Sequence, residues 1–388
     1  MSKVVVVIPT YNEAKNINKM IDVLTKDIFP QITNNDMWLL VVDDKSPDGT
    51  ADVVREKQKK HKNIVLSLGD KQGLGAAYKR GMKYAMEKMG ADAVIEFDAD
   101  FQHPPKYIIE LVKKFNEGYD HIIGSRAVEG GTVPEEWGIF RKVLTKFGGL
   151  FTRVVLFFPK INVVKDTSTG LKLTRTKEVL DKIDFARVSN GFFYKTQILY
   201  QLVKNKAKIV EIPLEFKLRE EGESKMTMKD IIGTFTAVVI LRLKDPDTIH
   251  FIKFGTVGFI GYLINALGLE VFFRLGFAAG IAAALGAEGA IISNFVLNNF
   301  WTFKGEKITG VKKIISKFLQ FNLTSLGAVA IQGVAITILV NLFGEGLRQV
   351  YLILVIGFLV IPYNYTMYNV FIWKRWKVPF LKKIQEKI

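Results

Sequence analysis

The run from Glu96 to His103, EFDADFQH, places two carboxylates, Asp98 and Asp100, one residue apart at the end of an apolar stretch, with an amide and an imidazole behind them. A hard divalent cation takes oxygen ligands, and two carboxylates at this spacing can hold one and leave places for a diphosphate. Gln102 either completes that ligand set with its amide oxygen or braces Asp100. His103 precedes Pro104 and reads as a loop or packing residue, so it is not counted as a ligand. A D-x-D pair alone is weak, since acids that merely open a loop look the same. Two further polar clusters strengthen it: PTYNE at 9–13 and DDKSPDGT at 43–50.

All three clusters end apolar runs. KVVVVI at 3–8, MWLLVVDD at 37–44, NIVLSLG at 63–69, AVIEFDAD at 93–100 and HIIGSR at 121–126 read as strands. Between them lie stretches with helical periodicity, such as GLGAAYKRGMKYAMEKMG at 73–90. Apolar strands alternating with helices imply an α/β domain, Rossmann-like, whose mostly parallel sheet is covered on both faces. Ligands of such sheets gather at the carboxyl ends of the strands, where the three clusters fall.

The chain has 388 residues and a formal charge of +16. Residues 226–388 hold 17 Lys and Arg against 8 Asp and Glu, a net +9 that follows the ends of long apolar segments. That distribution fits membrane headgroups and argues against a nucleic-acid partner. With no cysteine, disulfides and thiolate chemistry are excluded. Four apolar segments, about 251–273, 278–303, 318–343 and 350–373, approach the roughly 20 residues needed to cross a bilayer. The 304–317 connection and the tail from Lys374 are lysine-rich, whereas the other connections carry only Arg274 and Arg348. This asymmetry predicts an integral, multi-pass protein with both termini and the amino-terminal domain cytoplasmic. No signal or targeting segment is expected at the start. Gly255, Gly258 and Gly261 predict close helix packing in lipid, and Asn294, Asn298 and Asn299 bonds across helices.

Just before the first span, Ile231, Ile232, Phe235, Val238, Val239 and Leu243 form one broad apolar helical face, too short to cross. It is expected to lie along the membrane surface, the alternative being a helix packed on the soluble core. The expected domains are 1–225, an interfacial helix region at 226–248, and a four-helix membrane domain at 249–388.

The ordered series VVIPTYNE, VVDDKSPDGT, GLGAAYKRGM, DADFQHPP, GSR and EIPLEFKLREEGESKM resembles glycosyltransferase family 2, which has the GT-A fold, and within it the dolichyl-phosphate mannose synthases. The similarity covers roughly residues 3–228; SPDGT and R-x-x-G-x-S-K are its more specific elements. FIKFGTVGFIGY and NFVLNNFWTFK resemble the GtrA-like membrane domain. The Q-x-x-R-W motif of processive polysaccharide synthases is absent.

The resemblance implies a nucleotide-sugar site at Pro9, Tyr11, Glu13, Val42, Asp44 and Ala99, together with Asp98, Asp100 and Arg126. It implies a metal, Mg2+ or Mn2+, on Asp98, Asp100 and Gln102, acceptor-phosphate contacts from Arg126 and Arg141, and donor-diphosphate contacts from Arg219 and Lys225. Arg141 is matched by spacing. Asp100, Arg126 and Arg141 are the expected catalytic residues. KDTSTGLKL at 165–173 and NGFFYK at 190–195 match segments near sugar and acceptor, without atoms assigned.

The implied reaction moves mannose from GDP-mannose to dolichyl phosphate. A lipid monophosphate is largely dianionic above its second pKa of about 6, so it can attack without a strong protein base. A transferase using a UDP-sugar is the first alternative. A lipid-linked sugar transporter ranks below it, since the spans carry almost no internal charge.

Overall fold

The computed structural model describes residues 1–157, 161–219 and 228–378, which form two compact units, Met1–Arg242 and Leu243–Ile388. Unit 1 holds a seven-stranded sheet: β1 (Ser2–Thr10), β2 (Asn35–Asp43), β3 (Ile64–Leu68), β4 (Ala93–Glu96), β5 (His121–Ser125), β6 (Lys172–Arg175) and β7 (Ile209–Pro213). The spatial order is β3-β2-β1-β4-β6-β5-β7. The valine run of β1 is continuous because both faces of the sheet are covered. Val4, Val6 and Ile8 join the core beneath α1 (Ala14–Asp22), α2 (Thr50–Lys60) and α4 (Tyr107–Asn116). Val5 and Val7 face α3 (Leu74–Glu87) and α6 (Tyr194–Lys204).

Every neighbouring pair of strands is parallel except those of β6, which runs antiparallel to β4 and β5. This reversal matters for the site. In a parallel strand the residues after it reach the carboxyl edge of the sheet. In β6 the residues before it do, since Lys172 lies beside Glu96 at the end of β4. The KDTSTG segment is delivered to the same edge as DADFQ.

Two more helices complete unit 1, α5 (Ile139–Val155) and α7 (Met228–Leu243). They meet through Phe235, whose ring lies 4.9 Å from Phe151 and 5.8 Å from Phe147. The structure divides the apolar face expected of α7. Val238 is buried in a cluster with Ile123, Leu156 and Leu199, whereas Ile232 and Val239 are exposed. α5 also exposes a row of large apolar side chains, Ile139, Phe140, Val143, Phe147, Leu150 and Val154, which the sequence reading did not single out.

Unit 2 contains α8 (Pro246–Arg274), α9 (Ala279–Leu297), α10 (Val311–Phe343), α11 (Arg348–Val355) and α12 (Ile361–Met367). Among the described residues, Pro246–Arg274, Val311–Phe343 and Ile353–Ile372 are long and apolar enough to cross a membrane. α9 occupies the second expected segment. Of the three glycines in FGTVGFIGY only Gly261 has a close neighbour, Asn294, while Gly255 and Gly258 face open space. The tight crossing of α8 and α9 lies instead at Gly268, where a Cβ would fall 2.8 Å from the Gly286 Cα. Asn299 Oδ1 accepts from the Ile308 N–H at 2.8 Å and from Trp373 Nε1 at 3.1 Å, joining three segments at one end of the unit.

Candidate functional site

A cleft of about 510 Å3 opens at the carboxyl edge of the sheet in unit 1. Three of the non-glycine residues with positive φ, Asn12 (58°), Lys45 (52°) and Phe101 (59°), sit in the turns just after β1, β2 and β4. Such backbone costs about 1 kcal/mol or more at each position and is held in place by its surroundings. SPDGT supplies much of that hold. Ser46 Oγ accepts from the Asn12 N–H at 3.0 Å, Asp48 Oδ2 from the Ala14 N–H at 3.0 Å, and Thr50 Oγ1 from the Glu13 N–H at 3.1 Å. The motif therefore braces PTYNE. Burial would raise the Asp48 pKa, but the Thr50 hydroxyl and the Ala14 and Thr50 N–H groups bring it below its ordinary value.

Pro9, Tyr11, Glu13, Asp44, Asp98, Ala99, Asp100, Gln102, Arg126, Arg141 and Arg219 all line the cleft. Val42 does not: its side chain is fully buried in the core, and its Cγ2 lies 2.9 Å from where a Cβ on Gly81 would stand. Lys225 lies outside the described residues. At the PTYNE end of the cleft, Lys71 Nζ stands 3.4 Å from the centre of the Tyr11 ring. Arg80 holds Asp44 at 2.5 Å, and burial raises the Asp44 pKa even so.

At the centre, Tyr78 donates to Asp98 Oδ1 at 2.7 Å. Burial would raise the Asp98 pKa, but Lys195, then His103, the Tyr78 hydroxyl and Arg219 bring it below the ordinary value. Asp100 is pushed up to about 6 by burial and by Asp98. Arg219 Nε lies 3.0 Å from Asp100 Oδ2 and 2.9 Å from Gln102 Oε1. Gln102 also braces: its N–H donates to Asp100 Oδ1 at 3.1 Å, and its carbonyl accepts from the Lys217 N–H at 2.9 Å.

The donor set fits a hard divalent cation. A carboxylate oxygen and an amide oxygen already converge on one positive nitrogen, and Asp98 lines the same cleft with its charge acting on Asp100. Among the described residues no three His, Cys, Asp or Glu side chains gather to hold a metal.

Beside this shelf stand three guanidinium groups. Arg126 binds Asp166 with both arms, Nε to Oδ2 at 2.7 Å and Nη2 to Oδ1 at 2.8 Å. Burial opposes the Asp166 charge, but Arg126 outweighs it and holds the carboxyl well below the carboxylate range. Arg141 stacks on Trp137, 3.7 Å from the ring centre. Burial, then Arg219 and Arg126, lower the Arg141 pKa, so Arg141 feels both of the other cations.

Residues 5–172 match the family model for glycosyl transferase family 2, and residues 253–373 that for the GtrA/DPMS transmembrane domain. A dolichol-phosphate mannosyltransferase of Pyrococcus furiosus is 34% identical over 345 residues, 88% of this chain and 91% of that protein. The chain belongs to the dolichol-phosphate mannosyltransferase family. A polyprenol monophosphomannose synthase of Mycolicibacterium smegmatis is 34% identical over 232 residues, 59% of this chain and 83% of that protein. Among solved structures, mannosyl-3-phosphoglycerate synthase of Rubrobacter xylanophilus aligns with a TM-score of 0.44 at 19% identity, covering 64% of this chain and 76% of that one.

As a member of this family the chain is a glycosyltransferase and a membrane protein. Its structure adds residues that the sequence reading left without roles. Ser168 comes to the cleft with β6, as does Asp166 behind Arg126, Lys195 with the first turn of α6, and Lys71 with the turn before α3. His103, set aside as a packing residue, is buried against Phe216 at 5.0 Å and also lines the cleft. Burial pushes its pKa to about 4, so it is neutral at pH 7. Gly75 answers to a close approach, since a Cβ there would fall 2.6 Å from the Ser189 carbonyl oxygen. Only the reversed strand and the packing of α3 on the 189–191 turn bring these pieces together.

Proposed function

We propose that the chain transfers mannose from GDP-mannose to dolichyl or another polyprenyl phosphate, giving the lipid-linked mannosyl phosphate and GDP. The observation that carries this reading is the pairing, in one cleft, of an oxygen-donor shelf at Asp98, Asp100 and Gln102 with the guanidinium groups of Arg126, Arg141 and Arg219. One transferred sugar between two anions needs that much positive charge. A divalent cation, Mg2+ or Mn2+, would be held by Asp98, Asp100 and Gln102 and would neutralise charge on the departing diphosphate.

Arg126 and Arg141 hold the acceptor phosphate near the anomeric carbon against the repulsion of the two anions. Asp166 fixes the Arg126 plane, and Trp137 fixes that of Arg141. A phosphate oxygen forms the new bond to the anomeric carbon. The bond to the diphosphate breaks, and its electron pair leaves with GDP. A single displacement inverts the anomeric centre. The acceptor needs no protein base. Arg219 and Lys225 contact the donor diphosphate, while Pro9, Tyr11, Glu13 and Asp44 surround the nucleoside.

The membrane unit keeps the enzyme where its acceptor is, since a polyprenyl chain stays in the bilayer. Four crossings place both termini and unit 1 on the cytoplasmic side, and the outward apolar residues of α5 and α7 suit a lipid surface.

The test is a donor screen on the full-length protein in lipid, with radiolabelled GDP-mannose and UDP-glucose and dolichyl phosphate as acceptor. Transfer from GDP-mannose is expected, and transfer from UDP-glucose alone would replace the donor assignment. Asp100→Ala is expected to abolish transfer with thermal unfolding unchanged; full activity in that variant would remove the metal shelf from the mechanism.

A further inference from the structure

Four cleft residues that the mechanism leaves partly unused meet at one point. Gly170 stands two residues before β6, and a Cβ built on it would fall 2.8 Å from Asp98 Oδ2, 2.8 Å from His103 Cε1 and 3.1 Å from Lys195 Nζ. A side chain at position 170 would thus meet three polar groups at once. Lys195 has no hydrogen-bond or ion-pair partner among the described residues, although it lines the cleft and acts on the Asp98 charge. His103 closes the group from beneath with both ring nitrogens buried and unpartnered.

An ammonium offers three donors and an ionised carboxylate only acceptors. Neighbouring hydroxyls of a pyranose each donate and accept, so a carboxylate and an ammonium a few ångströms apart match a sugar diol in both roles. The missing side chain at Gly170 lets Asp98 and Lys195 close over its backbone, side by side at the wall of the cleft. Because Asp98 also belongs to the cation shelf, a sugar held here would lie next to the diphosphate it must leave.

We propose that Lys195, together with Asp98 beside it over Gly170, reads the hydroxyls of the donor's hexose and sets which sugar is transferred. Lys195 is therefore a specificity-determining residue that touches substrate, and His103 is a positioning residue behind Asp98. The inference rests on the nucleotide-sugar reading of the cleft, but not on which nucleotide is used.

The experiment compares the full-length wild type with Lys195→Met and Lys195→Arg. It measures binding of GDP alone with Mg2+, and kcat/KM for GDP-mannose and GDP-glucose. Removing a donor that pairs with a substrate hydroxyl is expected to lower the preference between the two sugars by about tenfold or more in Lys195→Met. GDP affinity is expected to stay within about twofold, since no sugar is present to lose a contact. Lys195→Arg, which keeps the charge but moves it, tests geometry and is expected to shift the preference as well. An unchanged preference in both variants would overturn the proposal. So would a fall in GDP affinity matching the fall in activity, which would make Lys195 a phosphate clamp or a support for Asp98. If the wild type rejects both GDP-sugars, the donor assignment fails on its own, and the same comparison is made with the accepted nucleotide-sugar, its epimer and its free nucleoside diphosphate.

Discussion

Asp166→Asn isolates the contact that the structure places behind Arg126. The wild-type carboxylate receives six hydrogen bonds on two oxygens. Oδ2 accepts from the Arg126 N–H at 3.1 Å and from Arg126 Nε at 2.7 Å. Oδ1 accepts from Arg126 Nη2 at 2.8 Å, from the Ser168 and Thr169 N–H groups at 3.2 and 3.1 Å, and from Ser168 Oγ at 3.3 Å. An amide has one oxygen. If it serves Oδ1's partners, its NH2 is turned toward two Arg126 donors; in the other orientation the 166–169 turn loses its acceptor. Either way at least one charge-assisted bond and one further bond are lost, at about 1.5–3 kcal/mol for the former and about 1 kcal/mol for the latter. The side chains of Arg126 and Asp166 are only 11% and 5% exposed, so water replaces little of the loss. A destabilisation of about 2.5–4 kcal/mol follows. Thermal unfolding of the full-length protein measures it. Because a released Arg126 no longer presents a fixed plane to the acceptor phosphate, KM for the polyprenyl phosphate should rise by about tenfold or more, while GDP binding stays unchanged. Unfolding within about 1 kcal/mol of wild type together with an unaltered acceptor KM would refute both the energetic and the positioning argument.

Two further outcomes are expected. His121, fully buried on β5 and bonded through Nδ1 to Thr174 Oγ1 at 2.9 Å, has its pKa pushed down to about 3 by burial and by Lys172. The folded state therefore favours the neutral ring: its contribution to stability is complete above the unfolded pKa of about 6.5 and is lost as pH falls from there toward 3, amounting to about 2 kcal/mol at pH 5. His121→Asn should flatten the acid limb of a plot of unfolding free energy against pH, and an unchanged slope between pH 5 and 6.5 would show that another group carries it. Asp48→Ala removes the acceptor for the Ala14 N–H and for Thr50 and should cost about 1–2 kcal/mol. It should also weaken GDP binding, measured by titration, because the Asn12 turn loosens; tight GDP binding in that variant would mean that SPDGT does not hold PTYNE in its working shape.

The order of strands and helices, the three acidic or polar turns and the long apolar segments are legible in the sequence because each is a local pattern. A valine run buried on both sides looks the same in a chain as in a sheet, and a strand end is where an apolar run stops. D-x-D likewise belongs to one turn, and its metal reading needs no distant residue. The sequence also located Arg126, Arg141 and Arg219 through similarity to a family, though not what each one touches.

What lay beyond the sequence depends on contacts between residues far apart in the chain. The direction of β6 cannot be read from four residues of alternating character, yet it decides that Ser168 and Gly170 reach the cleft, with Asp166 bonded to Arg126 behind them, from the amino-terminal side of a strand. SPDGT looked like part of a binding site; folding turns its side chains onto the backbone of PTYNE, 34 to 37 residues away. Val42 matched a nucleotide position, but the pleat of β2 sends its side chain into the core. His103 read as packing, and burial does fit that reading, but only the fold shows that it packs beneath Asp98. Side-chain chemistry and spacing along the chain determined which groups were available. The reversed strand, the pleat and the long-range hydrogen bonds decided which of them face one another, because those depend on distances that sequence separation does not encode.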